Sequence, residues 1–143
     1  MKLHFLAFLA LALAQASHAR ACGYCVEDKV ASTYDHAVVT RALAQKHRVV
    51  FFHVEGAVAQ GEAAKRWLEA AAASTAGVDP GSARAAADTL TLSIAFDPQR
   101  SSLVAVQSAL EKKLAARKLT LLPLRVLDKP SDLALMRKER ISP

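Results

Sequence analysis

The sequence predicts an α+β fold: a βαββαβ sandwich preceded by an extra amphipathic helix. Three observations carry this expectation. Val49–Val54 (VVFFHV) and Thr89–Phe96 (TLTLSIAF) have the composition of strands that lie inside a sheet. Each is followed by a stretch of helical periodicity, Glu62–Ser74 and Leu103–Arg117. Pro123 interrupts the last apolar run, Leu119–Leu127 (LTLLPLRVL), and assigns it to a sheet edge, where a missing N–H costs no ladder bond.

Taken in order, the chain opens with a secretory signal. Lys2 supplies the positive start, and Leu3–Ala14 (LHFLAFLALALA) is apolar but short for a bilayer span. Small residues then recur at cleavage spacing, in Ala14-Gln15-Ala16, Ser17-His18-Ala19 and Ala19-Arg20-Ala21; the last, taken as the bound, gives a signal of residues 1–21 and makes Cys22 the first residue of the mature chain. A lipoprotein also carries cysteine at that place, but Arg20 fits that junction poorly. The expected location is the periplasm or the exterior. No second apolar run is long enough for a stable transmembrane anchor.

Residues 22–47 hold the cysteine pair and the first helix. Val26, Val30, Tyr34, Ala37, Val38 and Ala42 form one apolar stripe, which predicts a single helix over Cys25–Gln45. Glu27 and Asp28 suit its positive start; Arg41, Lys46, His47 and Arg48 suit its negative end. Residues 48–128 form the main domain. Val49–Val54 is apolar throughout and so expected to be covered on both faces. Glu62–Ser74 carries Ala64, Trp67, Leu68 and Ala71 on one side, with Trp67 expected in the core. Gly77-Val78-Asp79-Pro80-Gly81 is a turn. Ser82–Ala87 fits either an edge strand or a helix extension. In Thr89–Phe96, Leu90, Leu92, Ile94 and Phe96 share one face and Thr91, Ser93 and Ala95 the other. Residues 129–143 are a polar tail with a helical turn or more from Ser131.

This order is the ferredoxin-like split βαβ pattern, in which the first and third strands are central. Its two helices cover one face of the sheet. The other face, with Phe51 and Ala95, is expected to be covered by the N-terminal helix or by a second copy in a homodimer.

"VEGAVAQGE" at Val54–Glu62 resembles the metal loop of heavy-metal-associated domains, small carriers of copper and other soft metals with this same βαββαβ order. That loop runs roughly V-x-G-M-x-C-x-x-C. Val54 and Gly56 match. Ala57 stands in the methionine place, Ala59 and Glu62 in the cysteine places. "IAFDPQRSSLVAVQSALEKKL" also looks like the family's strand, turn and second helix. The resemblance spans about Val49–Leu127 and implies the fold. It implies no metal site in this loop, because alanine has no donor atom and one carboxylate is a poor ligand for a soft cation.

The thiols lie elsewhere. Cys22-Gly23-Tyr24-Cys25 holds the only two cysteines of the 143 residues. A helix start favours thiolate, while Glu27 and Asp28 oppose it. Three readings stand side by side: a small disulfide that closes too short a loop to stabilise much, soft-metal binding, and thiol–disulfide exchange with a thiol-bearing protein partner. Two thiolates suit Cu(I), and Zn(II) or Hg(II) with added ligands. His53 is a further candidate ligand, with a partly buried strand histidine as the plainer reading. His36 lies about 16 Å from Cys25 along a straight helix and cannot share its metal. His47 reads as a helix-end cation.

Other functions find little support. The formal charge of +6 falls to +4 without residues 1–21. Lys112, Lys113, Arg117 and Lys118, and Arg137, Lys138 and Arg140 in the tail, have no interleaved aromatics and read as solvated faces, not a nucleic-acid surface. No nucleophile elbow, P-loop or metalloprotease motif occurs, so an enzyme is not expected. The sequence therefore points to an exported protein that holds a soft metal such as copper through Cys22 and Cys25. A thiol redox protein, or an interaction module with a structural disulfide, is the alternative.

Overall fold

The computed structural model describes residues 25–58 and 60–141. In chain order its elements are α1 (Val26–Ser32), α2 (His36–Ala44), β1 (Arg48–Glu55), α3 (Glu62–Ala73), β2 (Arg84–Ala86), β3 (Thr91–Phe96), α4 (Leu103–Leu114) with a 3-10 turn at Ala115–Arg117, β4 (Thr120–Leu127) and α5 (Pro130–Ile141). The strands form one antiparallel sheet in the order β2-β3-β1-β4. This is the ferredoxin-like arrangement, with β1 and β3 in the centre.

The central strands are apolar on both sides because both sides are covered. Val50, Phe52 and Val54 of β1 and Leu92, Ile94 and Phe96 of β3 face α3 and α4, where Leu68, Ala72, Val106, Leu110 and Leu114 complete the first core. Val49, Phe51, Ala95 and Leu127 point the other way and meet Val30 of α1 and Val39, Ala42 and Leu43 of α2. Leu133 and Met136 of α5 pack against the same cluster. The face that the sequence offered to the N-terminal helix or to a second copy is thus filled by the chain's own helices.

Three local expectations are corrected or given their extent. First, the stretch Cys25–Gln45 is two helices, not one. Asp35 caps α2, its Oδ1 accepting from Val38 N at 3.1 Å. Its other oxygen accepts from Arg84 Nε at 2.9 Å, and Ser93 Oγ of β3 donates to the Thr33 carbonyl at 3.0 Å. These bonds satisfy the backbone groups that a break leaves open. Second, the tail is a twelve-residue helix, α5. Pro130 opens it, and Asp132 Oδ2 accepts from the N–H groups of Asp128 and Lys129 at 2.8 and 2.9 Å. Third, Trp67 is half-buried. It packs against the first core, and its ring faces the Arg117 guanidinium carbon 3.9 Å from the centroid.

The strand after the turn begins at Thr91, because Leu90 has φ +53. The uncertain segment becomes the three-residue edge strand β2. At the opposite edge the β1–β4 register shifts between Phe51 and Phe52, where Phe52 faces Pro123. A bulge there lets β4 pass a residue that cannot donate to the ladder. Among the described residues no helix is long and apolar enough to cross a membrane.

Candidate functional site

Cys25 is the N-cap residue of α1, in extended conformation, and is exposed. Its thiol donates to Asp28 Oδ2 at 3.1 Å. The Asp28 backbone N–H draws the thiol pKa down, but the Asp28 carboxylate, as hydrogen-bond acceptor and as charge, outweighs it together with slight desolvation. The pKa ends above the ordinary thiol value. Of the two opposed influences visible in the sequence, the acidic neighbour wins over the helix start. Cys22 lies outside the described residues, as does the whole of 1–21.

One turn further on, Lys29 extends Nζ to 3.3 Å from His53 Nδ1. That same nitrogen lies 2.9 Å from the Leu90 carbonyl oxygen. With Nδ1–H donating to Leu90, the lone pair of a neutral ring sits on Nε2. His53, on β1, therefore lies on the sheet face beneath α1, the helix that Cys25 caps. An ammonium group stands beside its ring. Two further links hold α1: Glu27 accepts from Arg125 Nη2 of β4 at 3.2 Å, and Ser32 Oγ lies 2.7 Å from Thr89 Oγ1.

Among the described residues no three His, Cys, Asp or Glu side chains converge as a metal site. The described part of the thiol site is Cys25 with Asp28. His36 begins α2 beyond the break, its Nδ1 3.3 Å from the Tyr34 hydroxyl. The chain turn, not helix length, separates it from Cys25.

The loop after β1 carries no thiol. Ala59 lies outside the described residues. Glu62 is 77% exposed and paired only with Lys65, at 3.9 Å. Gly56 is fixed by packing: it has φ +120, and a Cβ there would stand 2.7 Å from Leu119 Cδ2 and 2.9 Å from the Lys118 carbonyl oxygen.

His47 differs from its reading as a helix-end cation. Its Nδ1 lies 2.7 Å from Asp79 Oδ2 and its Nε2 3.9 Å from Asp97 Oδ2. No local pattern announces this pairing, because His47 and Asp79 are 32 residues apart and meet only when the sheet forms.

No protein family and no curated protein matches the chain. Among solved structures it is similar to a copper-binding domain of HMA7, a P-type ATPase. The identity is 20% and the TM-score 0.44, over 55% of this chain and 96% of that one. It is also similar to the N-terminal domain of a potential copper-translocating P-type ATPase from Bacillus subtilis in its Cu(I)-loaded state. There the identity is 18% and the TM-score 0.43, over 58% of this chain and 94% of that one. No residue role is transferred from either.

Proposed function

We propose that this is an exported protein that binds a soft metal ion, Cu(I) or one like it, as cargo through the thiolates of Cys22 and Cys25. The observation that favours this reading is the 3.1 Å contact between Cys25 Sγ and Asp28 Oδ2. The attacking sulfur of an exchange reaction must be a thiolate, and the Asp28 carboxylate disfavours that role for Cys25. A metal displaces the thiol proton in any case, and the Asp28 carboxylate then stabilises the cation. The contact therefore suits a bound cation better than attack by Cys25.

The donor set fits the cargo. Two thiolates three residues apart in sequence, the second of them at an exposed helix start, suit a two-coordinate soft ion. His53 is the remaining candidate, through Nε2, but the Lys29 ammonium beside it opposes a cation there. The reading accordingly places the ion on the two cysteines, with Asp28 adding charge.

The test is Cu(I) titration of the reduced mature protein against a competing chelator. The expected result is one equivalent bound, loss of binding in Cys22→Ser/Cys25→Ser, and roughly tenfold weakening in Asp28→Asn. Unchanged affinity in the double serine variant sinks the reading. A reduction potential of the pair in the range of catalytic oxidoreductases, with no Cu(I) competition, would move the assignment to thiol–disulfide exchange.

A further inference from the structure

Between α2 and the turn that follows α3 lies a cavity of about 260 Å³. Val38, Ala42 and Ala95 give it an apolar floor, and Arg41, Gln45 and Asp79 stand around it. Most other polar groups on its wall are already used. Ser82 Oγ donates to the Asp79 carbonyl at 2.8 Å and accepts from Ala95 N at 3.0 Å. His47 Nδ1 engages Asp79 Oδ2 at 2.7 Å.

Three groups remain uncommitted. Among the described residues Arg41 makes no ion pair and Gln45 no side-chain hydrogen bond, and Asp79 Oδ1 has no partner. Arg41 and Asp79 line the same space without touching each other. A cation and a carboxylate that line one small cavity, each with spare hydrogen-bonding capacity, are complementary to a molecule that carries both charges. A plain anion would meet the Asp79 charge, and a plain cation would meet Arg41. The volume lies below the range for drug-sized ligands, so the occupant has few heavy atoms.

We propose that this cavity binds a small zwitterion of the amino-acid type, with its carboxylate on Arg41, its ammonium on Asp79 and its carbon body on the Val38–Ala42–Ala95 floor. His47 acts as a positioning residue: it holds Asp79 Oδ2 and leaves Oδ1 turned to the ligand. The proposal is independent of the cysteine site.

The test is an NMR titration of the mature protein that follows the Arg41 Nε–H and the Gln45 side-chain amide. The probes are alanine and β-alanine, with propionate and ethylamine as the single-charge halves. At least one zwitterion is expected to give saturable shifts at an affinity roughly tenfold or more above either half. Arg41→Gln, at an exposed helical position, is expected to weaken that binding roughly tenfold with an unchanged melting temperature. Asp79→Asn is expected to weaken the zwitterion and spare propionate. Cys22→Ser/Cys25→Ser is expected to bind as the parent does. Absence of saturable shifts with both zwitterions, equal binding of propionate or ethylamine, or indifference to Arg41→Gln overturns the proposal.

Discussion

The two N-terminal helices both pack on one face of the sheet, yet they are held in different ways. α2 buries Val38, Val39, Ala42 and Leu43. α1 buries Val30 alone. It is otherwise tied down by polar contacts: Ser32 to Thr89 and Glu27 to Arg125. Apolar burial contributes most of a helix's fixation, while partly exposed polar pairs contribute little each. α2 is thus part of the second core, and α1 is a lightly anchored platform that presents Cys25. A segment with few buried apolar contacts is where local opening is cheapest. Cys25 thus sits at the start of the element of this face that is expected to open locally at the lowest cost.

The contrast can be tested from its strongest side first. Leu43→Ala removes a buried side chain of α2 and is expected to cost about 2–5 kcal/mol of global stability by chemical denaturation. A loss near zero would mean that α2 is no more anchored than α1. Val30→Ala removes the one apolar anchor of α1 and is expected to cost about 1.5 kcal/mol. Its signature is local: hydrogen exchange should accelerate in α1 and not in α2. Uniform acceleration would show that the two helices open together.

The joint between them gives the smallest effect. Asp35→Ala removes the cap of α2 and the acceptor of Arg84, with an expected cost of about 1 kcal/mol. The Val38 backbone N–H and, after it, the Arg84 guanidinium hold the Asp35 carboxyl below its ordinary pKa, against a small opposing effect of burial. A depressed folded pKa stabilises the protein above the unfolded value and ceases to do so as pH falls through the folded one. The difference between parent and Asp35→Ala should therefore be constant above about pH 5 and shrink below about pH 4. A difference that stayed flat to pH 3 would exclude the carboxylate as its source.

The sheet was legible because its signals are local. VVFFHV can only be a strand with two covered faces, and the two sides of TLTLSIAF separate by simple alternation. Pro123 placed β4 at an edge, and the structure adds the bulge that passes it. The break between α1 and α2 also left a trace, in the Ser32-Thr33-Tyr34-Asp35 run, where a cap residue precedes a fresh apolar pattern. The continuous stripe over Val26–Ala42 concealed it, because periodicity across a three-residue turn still resembles one helix. The length of α5 stayed open for a related reason: Pro130 and Asp132 mark a helix start, but a polar helix shows little periodicity until its partner is known.

At the site, the sequence was sufficient for the Cys-x-x-Cys spacing, for the acidic residues behind it and for the absence of cysteine from the loop after β1. Those are facts of identity and spacing, which need no tertiary structure. It could not weigh the helix start against Asp28, since that depends on where the carboxylate lies relative to Sγ. Nor could it place Lys29 beside His53, seat His47 against Asp79, lay Arg117 on Trp67 or leave Arg41 facing Asp79 across a cavity. Each of these joins residues from different elements. What the sequence determined alone is which segments avoid water and with what period. Which charged groups become neighbours was decided only when sheet register and helix packing brought distant residues together.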